Sequence, residues 1–209
     1  ALTMYQEIIE SEPENAENEF EESVVMEESE IDRTLVRMAH QILEQNKGCS
    51  NLAIVGIVTR GDVLAKRIAR LIEDIEGTKL PVGSLDISFY RDDSIMSLSP
   101  LVQGTDILFS IDGKTIVLVD DVLYTGRTIR AALDALMDLG RPDRIQLATL
   151  IDRGHRELPI RADFVGKNVP SASNESVRLY IKEVDGESCV RIKRLQPGQH
   201  VGSAPVKGV

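Results

Sequence analysis

The chain has 209 residues, with 34 acidic and 24 basic side chains and a formal net charge of −10. Its 42% content of hydrophobic residues is typical of a globular protein and excludes a wholly disordered chain. No apolar run reaches the roughly 18–20 residues that span a bilayer, and no basic-then-apolar signal segment opens the sequence, so we expect a cytoplasmic protein that has no membrane partner. Cys49 and Cys189 are too few for a disulfide scaffold or a metal knuckle, and we expect reduced thiols.

The acidic charge is concentrated at the start of the chain. Residues 1–30 contain 11 glutamates and no lysine or arginine, and subtracting this −11 from −10 leaves +1 for residues 31–209. We expect residues 1–22 to be a disordered acidic leader, residues 23–195 the folded domain, and the Gly- and Pro-containing residues 196–209 a flexible tail. Composition favours a solubilising arm over a docking segment for the leader.

The first predicted helix begins near Ser29, which we expect to be its N-cap, and ends at Gly48. The nearly continuous apolar run 51–58 predicts a strand buried on both faces, and a second helical period follows and ends at Gly77. The later predicted elements are strands 82–90 and 115–119, helix 127–139, strand 145–151, and strands 177–184 and 188–194 joined by a hairpin turn at Asp185-Gly186.

Strands that alternate with helices predict an α/β fold with a mostly parallel sheet flanked by helices. Ligands of such sheets bind beyond the carboxyl ends of the strands. The residues that follow each predicted strand are therefore the candidates for chemistry.

The strongest of these candidates is Ile116–Thr128, with the sequence IVLVDDVLYTGRT. Asp120 and Asp121 end a buried strand and can accept hydrogen bonds from two neighbouring sugar hydroxyls. Gly126 permits a tight turn, and the helix that follows directs free N–H groups at an anion. The segment predicts a site for a ribose 5-phosphate. The alternatives are an ordinary turn with solvated acids, and a nucleotide hydrolase, which would need a G-x-x-x-x-G-K-[ST] motif that the sequence lacks.

This segment matches the 5-phosphoribosyl-1-pyrophosphate (PRPP) motif of the type I phosphoribosyltransferases. The sequence VDDVLYTGRT resembles the corresponding motif of the bifunctional pyrimidine-operon attenuator and uracil phosphoribosyltransferase family, PyrR. The resemblance covers about residues 24–194 and implies the type I phosphoribosyltransferase fold, with a lid segment and a late β-hairpin. The further matching stretches are RMAHQILEQNKG (37–48), GIVTRGDVLAKR (56–67), LDISFYRDD (85–93) and DRGHRELPIRADFVGKNVP (152–170).

The resemblance implies a set of site residues. Asp120, Asp121 and Arg91 are the implied catalytic residues, and Arg91 belongs to a lid that runs from Tyr90 to about Gly113. The residues implied to bind PRPP or UMP are Thr59, Arg60, Gly61, Asp120, Asp121, Val122, Leu123, Tyr124, Thr125, Gly126, Arg127, Thr128, Arg153 and Val177. Asp62 departs from the family, which usually has an apolar residue there, and a carboxylate beside a pyrophosphate site is unfavourable unless it caps the helix.

The implied enzyme is a glycosyltransferase that joins uracil to PRPP and releases UMP and pyrophosphate. Uracil N1 would displace pyrophosphate through a cation-like sugar transition state, without a protein nucleophile. Mg²⁺ is the implied cofactor, held mainly through PRPP and water rather than by direct protein ligands.

The resemblance also implies UMP-dependent binding of leader mRNA, which would regulate pyrimidine genes by transcription termination. The candidate RNA-binding residues are Arg37, His40, His155, Arg156, Arg161 and Lys167. From the residues alone, solvated or paired surface bases are favoured over an RNA site, because the patch has no aromatic stacking residues. Val36 and Gln45 stand where the family commonly has Thr and Arg, and losing one cation removes about one phosphate contact.

Three hypotheses remain open at this point: an active enzyme that also binds RNA, an enzyme that has lost RNA binding, and a UMP-sensing RNA-binding regulator with negligible catalysis. A phosphoribosyltransferase for another base is a lesser alternative. The resemblance implies a homodimer or a larger homo-oligomer.

Overall fold

The computed structural model describes residues 22–88 and 105–195. In chain order the elements are β1 Glu22–Glu27, α1 Glu28–Asn46, β2 Leu52–Ile57, α2 Arg60–Glu76, β3 Val82–Leu85, β4 Thr115–Leu123, α3 Arg127–Leu139, β5 Arg144–Asp152, β6 Phe164–Asn168, β7 Glu175–Tyr180, α4 Lys182–Asp185 and β8 Cys189–Arg194. Within the two described ranges, none of these helices has the length and apolar character needed to cross a membrane.

Five strands form a parallel sheet in the order β3-β2-β4-β5-β6. The apolar runs that predicted β2 and β4 are buried on both faces: Ile54 and Val117 pack with α1 and α2 on one side, and Val55 and Leu118 pack with α3 on the other. The predicted α/β class is confirmed, because strands apolar on both faces require helices on both sides of the sheet.

A second, antiparallel sheet has the order β1-β8-β7, and we call these strands together with α4 the small sheet. Its inner residues, such as Leu179 and Val190, are completely buried in the core that α1 and α2 also share. Glu22, at the end of the predicted leader, pairs with Lys193 in this sheet. The acidic leader therefore enters the fold through an edge strand, β1.

The structure corrects three local predictions. Glu27, rather than Ser29, is the N-cap of α1, and it makes no side-chain cap hydrogen bond, because β1 continues directly into the helix. The two late strands are joined by the single helical turn α4, with Gly186 left-handed at its C-cap, rather than by a two-residue turn at Asp185-Gly186. Third, residues 105–113, predicted as the end of the lid, are attached to the rest of the fold. The backbone of Asp106 pairs with that of Ser84, and Ile111 is buried.

Two buried side chains on β5, Gln146 and Thr149, each have a polar atom without a hydrogen-bond partner among the described residues. Thr149, on β5, is completely buried, and its hydroxyl oxygen has no hydrogen-bond partner. Burying an unpaired hydroxyl costs free energy, and valine has almost the same shape without it. We expect Thr149→Val to raise the free energy of unfolding by about 1 kcal/mol and the Tm by about 2–4 °C, measured by thermal and denaturant unfolding. Thr149→Ser, which keeps the hydroxyl and loses the methyl group, should lower both; a less stable Thr149→Val would contradict the argument.

Candidate active site at the carboxyl edge of the sheet

Two adjacent carboxylates lie near the end of the central strand. β4 runs through Asp120 and Asp121 to Leu123, further than the apolar run predicted, so both acids are part of the sheet. The N–H of Asp121 donates to Asp120 at 2.9 Å and the N–H of Val122 donates to Asp121 at 2.7 Å. These bonds fix the orientation of both carboxylates before any ligand is present.

The loop that follows, which we call the second loop, comprises Tyr124–Thr128. Gly126 has a φ of 94° and is the N-cap of α3, and the N–H of Arg127 donates to the Thr125 hydroxyl at 3.3 Å. A side chain at Gly126 would strain this left-handed backbone and would contact Ile160 and Leu158. The second loop therefore leads directly into the N-terminus of α3, whose positive dipole end suits an anion at this position.

The chain after β5 supports the second loop from behind. The carbonyl of Thr125 accepts hydrogen bonds from the N–H groups of Glu157 and Leu158 at 3.0 and 3.2 Å. The carbonyl of Tyr124 accepts one from the Arg156 guanidinium at 2.7 Å, and Arg127 pairs with Glu157 at 2.8 Å. Sequence reasoning did not identify Glu157 as part of the site, since only the fold brings it to the loop.

The first loop, Thr59–Gly61, lies beside the carboxylates. The peptide bond between Val58 and Thr59 is cis. A Cβ on Gly61 would lie 2.6 Å from the carbonyl oxygen of Val119 and 3.1 Å from the Cα of Asp120. The first loop therefore lies against the end of β4, the strand from which the second loop continues, and this contact is closed to any side chain at position 61.

Arg60 does not extend freely into this site. Its guanidinium makes two hydrogen bonds to Asp185 of α4, at 3.0 and 2.6 Å. The hydrogen bonding of its guanidinium to the Asp185 carboxylate, together with the nearby charge of Asp121, raises the pKa of Arg60. An anion at position 60 can therefore be contacted by the backbone N–H and by those N–H groups of the guanidinium that Asp185 does not use.

Asp62 lies in the first turn of α2, but its carboxylate is turned towards β3. It accepts a hydrogen bond from the Ser84 hydroxyl and pairs with Lys66 at 2.9 Å. The structure shows no side-chain cap at this helix start, so the carboxylate does not take the capping role that would have made it favourable there. The unfavourable charge expected beside the first loop is partly compensated by Lys66.

Arg153 is buried inside the protein, with 2% of its surface exposed. It donates to the Ser171 hydroxyl and to the carbonyls of Ala172 and Glu175, and its guanidinium stacks over the Tyr124 ring at 4.1 Å. Burial lowers its pKa below the usual range for arginine. The structure thus places Arg153 as a support for the second loop and for the start of β7, where Val177 is also buried.

The candidate RNA-binding residues fall into two groups. The first group lies on α1 and β6: Arg37 donates to the carbonyls of Val165 and Gly166, and Lys167 pairs with Glu30 at 2.8 Å. The other group, His155, Arg156 and Arg161, lies on the segment after β5. His40 and Arg161 are exposed at the surface.

Arg156 is engaged within the protein. Besides Tyr124 it contacts Asp152 and the carbonyl of Ile160. Burial alone would raise the pKa of Asp152, but hydrogen bonds from Arg156 and from the N–H of Gly154 lower it. The Arg156 guanidinium therefore holds the second loop in place whether or not it also contacts RNA.

Several of the sequence predictions concern residues that the structure does not describe. Arg91, most of the predicted lid, residues 1–21 of the leader and the tail from 196 onwards lie outside the described residues. Across the described ranges, no group of three or more His, Cys, Asp or Glu side chains is arranged to hold a metal ion.

Comparison with known families agrees with this geometry. The family model for the phosphoribosyl transferase domain matches residues 27–182. A bifunctional protein PyrR from Pelotomaculum thermopropionicum is 58% identical over 173 residues, covering 82% of this chain and 96% of the relative. Another from Thermus aquaticus is 62% identical over 169 residues, covering 80% of this chain and 93% of the relative.

Among solved structures, a hypoxanthine phosphoribosyltransferase from Staphylococcus aureus superposes with a TM-score of 0.61. The two sequences are 22% identical, and the match covers 88% of this chain and 98% of that one. At this identity the likeness establishes the shared fold.

Proposed function

The chain belongs to the phosphoribosyl transferase domain family and, within it, to the bifunctional PyrR proteins, and from this premise we propose that it converts uracil and PRPP to UMP and pyrophosphate. The observation that carries the proposal is the position of the first loop against the carboxylate-bearing end of β4: Gly61 lies against Val119 and Asp120, and the second loop begins three residues after Asp121. A phosphorylated sugar placed at this edge would reach both anion loops and both carboxylates at once.

Each part of the proposed site has a separate task. The backbone N–H groups at the start of α3 would hold the 5-phosphate, and Asp120 and Asp121 would accept hydrogen bonds from the ribose hydroxyls. The first loop would receive the pyrophosphate through its backbone. The negative charge of the two acids would also favour a sugar that becomes cation-like, so catalysis would depend on positioning and electrostatics.

Mg²⁺ would arrive with PRPP and be held mainly by oxygens of PRPP and by water, since magnesium keeps several of its waters. The carboxylate oxygens of Asp120 and Asp121 lie at the same edge of the sheet, and their negative charge is compatible with a cation bound there. When bound, Mg²⁺ would neutralise part of the charge on the leaving pyrophosphate.

The activity is tested directly by incubating the full chain with labelled uracil, PRPP and Mg²⁺ and measuring UMP. Hypoxanthine in place of uracil is the control for base selectivity, because a solved structure of similar fold is that of a hypoxanthine phosphoribosyltransferase. Formation of UMP supports the proposal. Turnover of hypoxanthine but not of uracil would replace it with a different phosphoribosyltransferase, and no turnover of either base would leave the UMP-sensing regulator.

We further propose that the protein regulates pyrimidine genes by binding leader mRNA in the presence of UMP. The support is the membership in the bifunctional PyrR proteins and the exposed side chains of His40 and Arg161, which lie near Arg37 and Arg156 along the chain. A gel shift with a pyrimidine-leader RNA, with and without UMP, tests it. UMP formation without any RNA binding would leave an enzyme that has lost the regulatory function. A homodimer or larger assembly and a cytoplasmic location stay predictions.

The acidic leader has a testable effect on RNA binding. Residues 1–21 contain seven glutamates and no lysine or arginine, and they join the fold at β1, next to α1 and its Arg37 and His40. If the leader competes with RNA, deleting residues 1–21 should strengthen binding several-fold at low salt and less at high salt, since salt screens exposed charges. The deletion keeps Glu22, so β1 and its pairing with Lys193 remain. Equal affinities of the two chains at low salt would show that the leader does not compete.

A further inference from the structure

A partly buried pair of charges joins the first loop to the small sheet. Arg60 binds Asp185 through Nε and Nη2 at 3.0 and 2.6 Å, and the two side chains are only 19% and 13% exposed. Asp185 also accepts a hydrogen bond from the N–H of Ile181 at 2.8 Å. A planar, two-bond pair between guanidinium and carboxylate fixes orientation as well as distance.

The charge state of this pair suits that role. Burial alone would raise the pKa of Asp185, but the hydrogen bonds from Arg60 and from the N–H of Ile181 lower it. The carboxyl group is therefore ionised at neutral pH. Breaking the pair by neutralising Asp185 would leave a poorly solvated guanidinium beside the first loop.

The opposite end of β7 is fixed to the second loop. Arg153 donates to the carbonyls of Ala172 and Glu175, where β7 begins, and stacks over Tyr124 of the second loop. β7 ends at Tyr180, and the turn that follows carries Asp185. The strand therefore spans the distance between the two loops and is attached to each of them through an arginine.

This placement has a consequence for the base. If the second loop holds the 5-phosphate and the first loop the pyrophosphate, uracil must approach the sugar from the remaining open side. The small sheet is attached to the first loop through Arg60 and to the second loop through Arg153, and we therefore place the base on its side of the sugar. The position of β7 would then determine how well uracil is held.

We propose that Asp185 is a positioning residue for the base: by holding Arg60 it fixes β7 between the two loops and thereby shapes the uracil site. The first loop binds its anion through backbone N–H groups, so the pair serves uracil more than PRPP. This inference rests on the proposed function.

The same turn supplies a matched control. Glu183 binds Arg67 through two hydrogen bonds, at 3.0 and 2.7 Å, and is 48% exposed. Arg67 lies two helical turns after Arg60 in α2 and is outside the first loop. Glu183→Gln therefore weakens an ion pair between α4 and α2 without altering the contact of the first loop.

The test compares Asp185→Asn with Glu183→Gln in the full chain. We expect Asp185→Asn to raise the KM for uracil about tenfold, while the KM for PRPP and kcat stay within about twofold. A tenfold change is roughly the effect of losing one hydrogen bond of typical strength. Glu183→Gln should leave all three within about twofold. Amide hydrogen exchange of peptides from 175–194 should be faster in Asp185→Asn than in the control variant.

Several outcomes would overturn the inference. An equal rise in uracil KM in both variants would mean that any loosening of α4 suffices. A rise in the KM for PRPP alone would mean that the pair serves the anion, and unchanged kinetics in Asp185→Asn would remove the role altogether. If the wild-type chain forms no UMP, the proposed reaction fails, and the same comparison is made on the UMP dissociation constant by calorimetry. There a tenfold weakening confined to Asp185→Asn supports the inference, and equal affinities or no binding by the wild type contradict it.

Discussion

Replacing Gly61 with alanine should lower kcat/KM for PRPP by at least about 100-fold, the size of effect that a misplacement of about 1 Å produces in a catalytic site. The new methyl group would lie 2.6 Å from the carbonyl oxygen of Val119, a contact that real Cβ atoms essentially never make. Since the neighbour is backbone of the central strand, it cannot rotate away as a side chain would. Either the first loop or the end of β4 must shift, and both carry the proposed PRPP contacts.

Gly77→Ala is the control for this prediction. Gly77 ends the same helix, α2, and a Cβ there would meet nothing within 4 Å, although its φ of 68° is left-handed. Alanine at this position should cost about 1 kcal/mol of stability and leave the kinetics unchanged. Steady-state kinetics and thermal unfolding of both variants separate loss of fold from loss of the site. Normal PRPP kinetics in a folded Gly61→Ala variant would contradict the proposal that the first loop and the end of β4 bind PRPP together.

The second large effect is expected for Asp121→Asn, which should lower kcat/KM for PRPP by about 100-fold, or about 2.7 kcal/mol of transition-state stabilisation. The amide oxygen of asparagine can still accept the hydrogen bond from the N–H of Val122, now 2.7 Å long, so the loop geometry should persist. What is lost is the negative charge beside a sugar that becomes cation-like. The fall should therefore appear mainly in kcat.

Asp134→Asn makes the same chemical change away from the site. Asp134 lies on α3, about half exposed, and pairs with Arg130 at 3.3 Å. An exposed pair of this kind contributes roughly 0–1 kcal/mol to stability, so this variant should keep wild-type kinetics. If Asp121→Asn behaves like Asp134→Asn in a steady-state assay, Asp121 has no part in the reaction.

Local patterns were enough to locate most of the regular structure and both loops. The apolar runs of β2 and β4 and the helical periods of α1, α2 and α3 predict these elements, because burial against the core imposes their spacing. Gly61 and Gly126 follow strands in the sequence, and Asp120 and Asp121 lie near the end of β4. Parallel strands place their carboxyl ends at one edge, so the location of both loops at that edge could be predicted before the structure.

Two strands had no usable local signal. β1 is acidic, and its residues resemble the preceding leader; it is a strand because β8 offers an edge to pair with. β6 is short and half-buried, and it owes its place to the parallel edge of β5. Strand formation at a sheet edge depends on the partner more than on intrinsic propensity, and that partner is distant in sequence.

The sequence by itself determined the fold class and the positions of the two anion loops, since these depend on spacing within segments of about 10–20 residues. Only the tertiary structure decided what the charged side chains do. Arg60 meets Asp185 across 125 residues, Arg153 turns inward to Ser171 and Glu175, and Asp62 faces Ser84. No period or motif encodes such pairings, because each depends on which elements the completed core brings within about 3 Å of one another.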